Sequence, residues 1–276
     1  MVLTFLSSSQ AQWSSDPFQN LEVAETINEQ VAPKIVATAD VGCYLSCFDD
    51  RNGNYSAYLQ RFNFLGEPQF TQNGLLISDH PQETWIINYE LTVDPVDNVI
   101  IVFKDIRNGG SSGWYIFAYK ISPQVNFEWG AYGISLSDIF TTDFRVAPKA
   151  IATLDNQVTI IWYKSGTFDQ LALQCFSSSG QKLCRESRIT LTPATNFRLS
   201  APNLVAADGV SVILIYKNSN GPFFAFTMYL STQKFSPHGN MLWYQNGLLI
   251  YSLGDISAWT DLQIYSDSAK GAFYTW

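Results

Sequence analysis

The chain has 276 residues, of which 46% are hydrophobic, 15% aromatic and only 14% charged. That mixture excludes a disordered chain, and the length suffices for one large all-β domain or two smaller ones. The formal charge of −8, with no basic run, speaks against nucleic acid as a partner, and no stretch approaches the roughly 20 apolar residues of a membrane helix.

The N-terminus opens on the apolar run Val2-Leu3-Thr4-Phe5-Leu6, followed by a serine-rich stretch. Ser9 and Ala11 are small residues spaced as before a signal-peptide cleavage. The basic front and the long apolar stretch of a full signal peptide are missing. Residues 1–12 therefore read as the remnant of a signal peptide, against the alternative of a frayed, mildly apolar terminus. Residues 13–23 resemble the fourth strand of a repeat, comparable with Trp243 to Ile250, and read as a lone outer strand of a closing blade.

From residue 32 the chain repeats itself. Ala32-Pro33-Lys34-Ile35-Val36-Ala37-Thr38 returns as Ala147-Pro148-Lys149-Ala150-Ile151-Ala152-Thr153 and as Ala201-Pro202-Asn203-Leu204-Val205-Ala206-Ala207. Each precedes an apolar strand: Cys43 to Phe48, Val158 to Tyr163 and Val210 to Tyr216. A copy without the proline pairs Tyr89 to Val93 with Asn98 to Phe103, and a last one opens at Asp261 and reaches Trp276. The second halves repeat as well, with Gln-Asn-Gly-Leu-Leu-Ile at both 72–77 and 245–250. Glycines and Asn-Gly pairs fall between the strands, where a positive φ is useful. The unit is thus about 55 residues with four strands, starting near 32, 88, 147, 201 and 261. One such sheet cannot bury both of its faces, so copies must stack face to face. Radial stacking predicts an all-β chain: a β-propeller of four-stranded blades over residues 13–276, in an incomplete ring with further blades expected downstream. A linear β-solenoid is the alternative, but its units are shorter.

At these repeats the sequence resembles a family of secreted bacterial repeat proteins. The motifs that carry the resemblance are Phe48-Asp49-Asp50-Arg51-Asn52-Gly53, Phe103-Lys104-Asp105-Ile106-Arg107-Asn108-Gly109, Tyr58-Leu59-Gln60-Arg61 and Trp243-Tyr244-Gln245-Asn246-Gly247. The third and fourth units depart from it, with Tyr163-Lys164-Ser165-Gly166 and Tyr216-Lys217-Asn218-Ser219 in place of the Asp-x-Arg turn. Such proteins are often exported by the type IX secretion system through a C-terminal sorting domain that is not in this chain. The resemblance implies a secreted or cell-surface binding module and carries no established chemistry.

The candidate chemistry is sparse, and no cofactor is expected. Cys43 and Cys47, four apart on a strand, are too far apart to bridge and poorly spaced for zinc. Cys175 and Cys184 flank Ser179-Gly180 symmetrically, and a two-residue turn there sets them opposite each other. The spacing makes them a candidate disulfide, with two reduced apolar cysteines as the alternative. Asp50, Asn52 and Asn54 have the spacing of a calcium-loop start but lack its distal glutamate, and they suit a hairpin turn equally. His80 and His238 sit in turn-like contexts with no serine elbow to serve, so they read as solvated loop residues. Asp40, Asp49, Asp50, Asp94, Asp105, Glu128, Asp155 and Asp208 recur at inter-strand turns, which is a structural pattern. Trp85, Trp114, Tyr115, Trp129, Trp259 and Trp276 read mostly as blade core or inter-blade packing, with sugar-stacking platforms as the alternative. The reading is a non-catalytic extracellular binding or scaffold module, its protein or glycan ligand taken by the loops of the propeller faces. The alternative is a glycosidase-type propeller using two channel-facing carboxylates.

Overall fold

In the structure, a computed structural model, residues 16, 18, 20–82, 88–105, 107, 115–136, 147–164, 169–184, 188–222, 225–245, 247–253 and 256–276 are described. They form eighteen β-strands, and among them no helix occurs. Four antiparallel meanders follow one another. Sheet 1 is β1 (Gln30–Ala37), β2 (Cys43–Asp49), β3 (Tyr55–Phe62) and β4 (Leu75–Gln82). Sheet 2 is β5 (Tyr89–Val93), β6 (Val99–Asp105), β7 (Tyr115–Ile121) and β8 (Ile134–Ser135). Sheet 3 is β9 (Lys149–Ala152), β10 (Val158–Lys164), β11 (Gln170–Phe176) and β12 (Ile189–Leu191). Sheet 4 is β13 (Phe197–Ala207), β14 (Ser211–Asn220), β15 (Thr227–Phe235) and β16 (Leu248–Tyr251). Sheet 5 has two strands, β17 (Gln263–Ser266) and β18 (Ala272–Thr275).

The sheets fan about an axis. The first strand of each packs on the first strand of the next, in the succession β1, β5, β9, β13, β17. Four apolar clusters fill the successive gaps between sheets. Strand β6 shows why its sequence is an unbroken apolar run: Val99, Ile101 and Phe103 face sheet 1, while Ile100 and Val102 face sheet 3. A strand buried on both faces has no polar side to alternate with. This is a β-propeller with four-stranded blades.

In sheets 1 and 4 the Ala-Pro motif is a β-bulge on the innermost strand; in sheet 3 it precedes β9. Ala32 and Ala201 take φ of 52° and 48°, and the register shifts between Val31 and Lys34 and between Ser200 and Asn203. Proline suits an inner edge strand, where its missing N–H removes no ladder bond.

The hairpin connections also repeat. Asn63, Ser122, Ser177 and Ser236 each open a tight turn into the fourth strand, accepting from the N–H three residues on and donating to the carbonyl four residues on. The residue at the bulge has positive φ: Gly66 at 77°, Val125 at 68°, Gly180 at 83° and Gly239 at 76°. These are three-residue bulged loops. The expected two-residue turn at Ser179-Gly180 is therefore corrected. Gly180 is the extra residue, and Phe176 bridges Lys182 instead of facing Leu183. Blade 2 alone of these four places a β-branched residue at the bulge, where the left-handed region is strained. Val125→Gly is accordingly expected to raise stability by about 1 kcal/mol, the relieved strain exceeding the added chain entropy. Urea unfolding measures it, and an unchanged or lower midpoint would show that Val125 is unstrained.

Of residues 13–23, Asp16, Phe18 and 20–23 are described and form no strand; the remainder, like the leader-like residues 1–12, lies outside the described residues. Residues 23–24 instead lie over the outer half of sheet 1.

Candidate functional site

Sheets 1 and 2 share a buried clip at the end of their second strands. Asp49 closes β2 and Asp105 closes β6, each fully buried. Arg51 Nη2 donates to Asp49 Oδ2 at 2.6 Å and to the carbonyl of Asn73 at 3.0 Å, with its guanidinium carbon 3.8 Å from the Tyr58 ring centroid. Arg107 repeats this: Nε donates to Asp105 Oδ2 at 2.8 Å, Nη1 to the carbonyl of Tyr132 at 2.5 Å, and the guanidinium lies 3.6 Å from the Phe117 centroid. Burial works to raise the Asp49 carboxyl, and the hydrogen bonds from Arg51 and Thr26 outweigh it, leaving the group below its ordinary range. For the more deeply placed Asp105 burial prevails over Arg107, and its carboxyl is raised. The Asp-x-Arg motif is thus a packing device. It ties the second strand to the turn before the fourth.

Sheet 4 keeps the position and loses the arginine. Counting from the hairpin pairs Cys43↔Phe62, Val99↔Ile121 and Val212↔Phe235, Asn218 is equivalent to Asp49 and Asp105. Where the guanidinium lies in sheets 1 and 2, sheet 4 has a cleft of about 270 Å³. Thr190, Thr192 and Pro193 border it from the end of sheet 3, and Tyr216, Asn218, Gln233 and Gln245 from sheet 4. Met241 and Leu199 supply apolar surface. No lining residue is charged. Gln233 is committed to the backbone, with Nε2 on the carbonyls of Trp243 and Tyr244 and Oε1 on the N–H groups of Lys234 and Trp243. Asn218 Oδ1 is buried and accepts no hydrogen bond. The counterpart on sheet 1, beside Cys47, Gln60 and Asn73, is closed to about 10 Å³ with Val23 and Ala24 against it.

A second polar group crosses the inner strands. Lys34, Glu90, Lys149 and Asn203 occupy equivalent positions on β1, β5, β9 and β13, opposite Ser46, Val102, Ile161 and Ile215. Lys34 and Lys149 flank Glu90, with Nζ 3.7 and 2.9 Å from its carboxylate oxygens, and Asn203 Nδ2 donates to the Leu262 carbonyl at 2.9 Å. Glu90 is the carboxylate of this belt.

The other candidate carboxylates are mostly engaged in turns and clamps. The third strand carries a cation for its own first turn: Arg61 binds Asp40, Lys120 lies 2.8 Å from Asp94 and Lys234 lies 2.5 Å from Asp208. A hydrogen bond from Thr38 and the Arg61 charge hold Asp40 below its ordinary range against modest burial. Asp155 accepts from Thr153; the Asp50 carbonyl accepts the Gly53 N–H at 2.7 Å and its carboxylate the Glu29 N–H, so residues 50–53, where the calcium-like spacing begins, form a turn. Among the described residues no group of three or more His, Cys, Asp or Glu gathers as a metal site. His80 lies on β4, not in a turn, with Nδ1 3.2 Å from Asp79, and His238 sits in the turn opened by Ser236.

Cys175 takes the clamp position in sheet 3 and is joined by a disulfide to Cys184, Cα to Cα 5.1 Å. Both are fully buried between sheets 3 and 4, whereas Cys43 and Cys47 are buried and free. The disulfide closes a short loop, so reduction is expected to cost less than about 3 kcal/mol. Thermal melts with and without reductant measure this, and a loss of the whole transition would show a larger role. Trp129 is core, its Nε1 on the Ser178 carbonyl, while Trp259 is 95% exposed. Trp85 and Trp114 lie outside the described residues.

No family model matches the chain, and no curated protein matches it. Solved structures do. An α-L-arabinanase of Penicillium chrysogenum complexed with arabinobiose is 10% identical with a TM-score of 0.49, over 81% of this chain and 69% of that one. An α-L-arabinofuranosidase of Fusarium graminearum, also with arabinobiose, is 12% identical with a TM-score of 0.49, over 84% and 73%. An endo-arabinase of Bacteroides thetaiotaomicron is 9% identical with a TM-score of 0.47, over 93% and 92%. The chemistry of this chain is argued below from its own side chains.

Proposed function

We propose that this chain is a secreted propeller that binds a neutral saccharide in the cleft between sheets 3 and 4. The observation that carries the reading is the replacement of a buried aspartate–arginine pair by one neutral, unpaired acceptor at the cleft. In sheets 1 and 2 the acceptor is a carboxylate, and a guanidinium fills the space beside it. In sheet 4 it is the Asn218 amide, in a cleft bordered by hydroxyls, amides and the Tyr216 ring. A neutral acceptor calls for a neutral donor, and a sugar hydroxyl is one. A cation entering there would lose its hydration without a counter-charge. The buried Cys175–Cys184 disulfide supports an oxidising compartment, hence the extracellular placement.

A second reading, glycoside hydrolysis, has Glu90 in its favour, since that carboxylate lies on an inner strand near the axis. Hydrolysis with acid–base or nucleophilic carboxylates needs a second one within about 5–10 Å. Lys34 and Lys149 neutralise Glu90 from either side. Calorimetric titration with a panel of neutral and acidic oligosaccharides, arabinobiose included, tests both readings when paired with product analysis. Saturable binding of a neutral member with the sugar recovered intact is the expected result. Release of shorter sugars would install the second reading, and binding confined to acidic members would overturn the first.

A further inference from the structure

We infer that Trp259 is a second saccharide contact, a stacking platform held out by its own loop. This inference rests on the saccharide reading above. Isolated exposed apolar residues are ordinary, but this one belongs to a segment anchored on both sides of it and from beneath. Ile256 and Leu262, which flank it, are buried in the gap between sheets 4 and 5. Trp259 N–H donates to Ser257 Oγ at 3.2 Å, and Thr260 N–H to the Ser257 carbonyl at 3.1 Å. From below, Lys217 Nζ donates to the carbonyls of Ala258 at 2.8 Å and Thr260 at 2.6 Å, with that of Ser257 at 3.4 Å. Lys217 is 2% exposed, and burial lowers its ammonium pKa, so the chain commits a desolvated cation to shaping this turn. The backbone carbonyls point inward to the ammonium, and the indole is the group turned out to solvent.

The position of Trp259 relative to the cleft gives the ligand class. Lys217 and Asn218 are neighbours on β14, and neighbouring strand residues face opposite sides of a sheet. Asn218 faces the cleft on the sheet 3 side; Lys217 faces the Trp259 loop on the sheet 5 side. The two contacts therefore lie on opposite faces of sheet 4. An oligosaccharide crossing the edge of sheet 4 reaches both; a monosaccharide in the cleft reaches one. An indole offers an apolar face for the C–H side of a sugar ring. Asp261 stands two residues on, its Oδ2 accepting from Gln263 Nε2 at 2.6 Å.

The test compares oligosaccharide and monosaccharide forms of the sugar that titrates best, on unaltered protein, Trp259→Ala and Trp259→Phe. An indole at full exposure contributes little to folding, so both variants fold, and their far-ultraviolet spectra check this. Trp259→Ala is expected to weaken the oligosaccharide about tenfold and leave the monosaccharide unchanged, with Trp259→Phe recovering part of the loss. If the unaltered protein binds and Trp259→Ala binds both forms equally well, this inference is overturned and the cleft reading survives. If the unaltered protein binds no saccharide, both fall together.

Discussion

Replacing Arg107 with Met is expected to lower the stability of the fold by about 3–5 kcal/mol, measured as the urea midpoint and slope. The size of the effect follows from what the guanidinium leaves behind. Asp105 is fully buried at the end of β6, and Arg107 supplies its counter-charge through Nε and Nη2. The same guanidinium caps the Tyr132 carbonyl and lies on the Phe117 ring. Methionine keeps the apolar contact and removes the guanidinium donors, so the buried carboxylate loses the Arg107 charge and keeps the backbone N–H of residue 107 at 3.3 Å. The carboxyl is already raised by burial, and losing Arg107 raises it further, so the variant takes up a proton on folding. Its deficit therefore grows with pH, being smallest where the unfolded carboxyl is also protonated, below about pH 4, and larger at pH 7. Adding Asp105→Asn to the variant restores a large part of the loss, because the stranded charge is gone. A loss under 1 kcal/mol, independent of pH, would show that the pair is solvated and does no more than surface pairs do.

Gly239→Ala is expected to cost about 4 kcal/mol, strain and crowding combined. The residue sits at φ 76° in the bulged loop of sheet 4, and its α-carbon faces the disulfide of sheet 3. A methyl there meets Cys184 Sγ at 2.5 Å and presses harder still on Ile189 Cδ1. Both pack into the gap between sheets 3 and 4, so giving way disturbs that packing. Gly53 is the control. Its φ is 93°, yet nothing lies within 4 Å of an added methyl, so Gly53→Ala carries the backbone strain alone, about 1 kcal/mol. Equal costs at the two positions would mean that the gap between sheets 3 and 4 is loose.

Much of the architecture is legible in the residues. Unbroken apolar runs such as Val99 to Phe103 announce strands covered on both faces, and the recurring Ala-Pro and Asn-Gly pairs mark the unit length. The separation of Cys175 and Cys184 is also informative, but their register is not. A bulge adds one residue without changing the turn chemistry, and Gly180 serves a two-residue or a three-residue loop equally well. The cleft is less legible. The departure at Tyr216-Lys217-Asn218 is plain as the loss of an Asp-x-Arg turn. What that loss opens depends on Thr190, Thr192 and Pro193, which another sheet delivers. The inner belt was hidden for a similar reason: Glu90 sits in the one full unit without the Ala-Pro marker, and only the equivalence of β5 with β1 and β9 brings it between Lys34 and Lys149. For Trp259 the sequence supplied a choice between core and platform, and burial of its neighbours Ile256 and Leu262 decides which residues of that loop are core.

The most direct test of the saccharide reading titrates one neutral oligosaccharide into Asn218→Leu and Glu90→Gln side by side, with chromatography of the sugar afterwards. Leucine fills the space beside Tyr216 and removes the unpaired acceptor; glutamine keeps the shape of the inner belt and removes its carboxylate. The account predicts at least about a tenfold loss of affinity in Asn218→Leu, the worth of one good hydrogen bond plus the filled space. It predicts unchanged affinity in Glu90→Gln and intact sugar in every case. Cleavage of the sugar by the unaltered protein that disappears in Glu90→Gln, with Asn218→Leu binding normally, would contradict it.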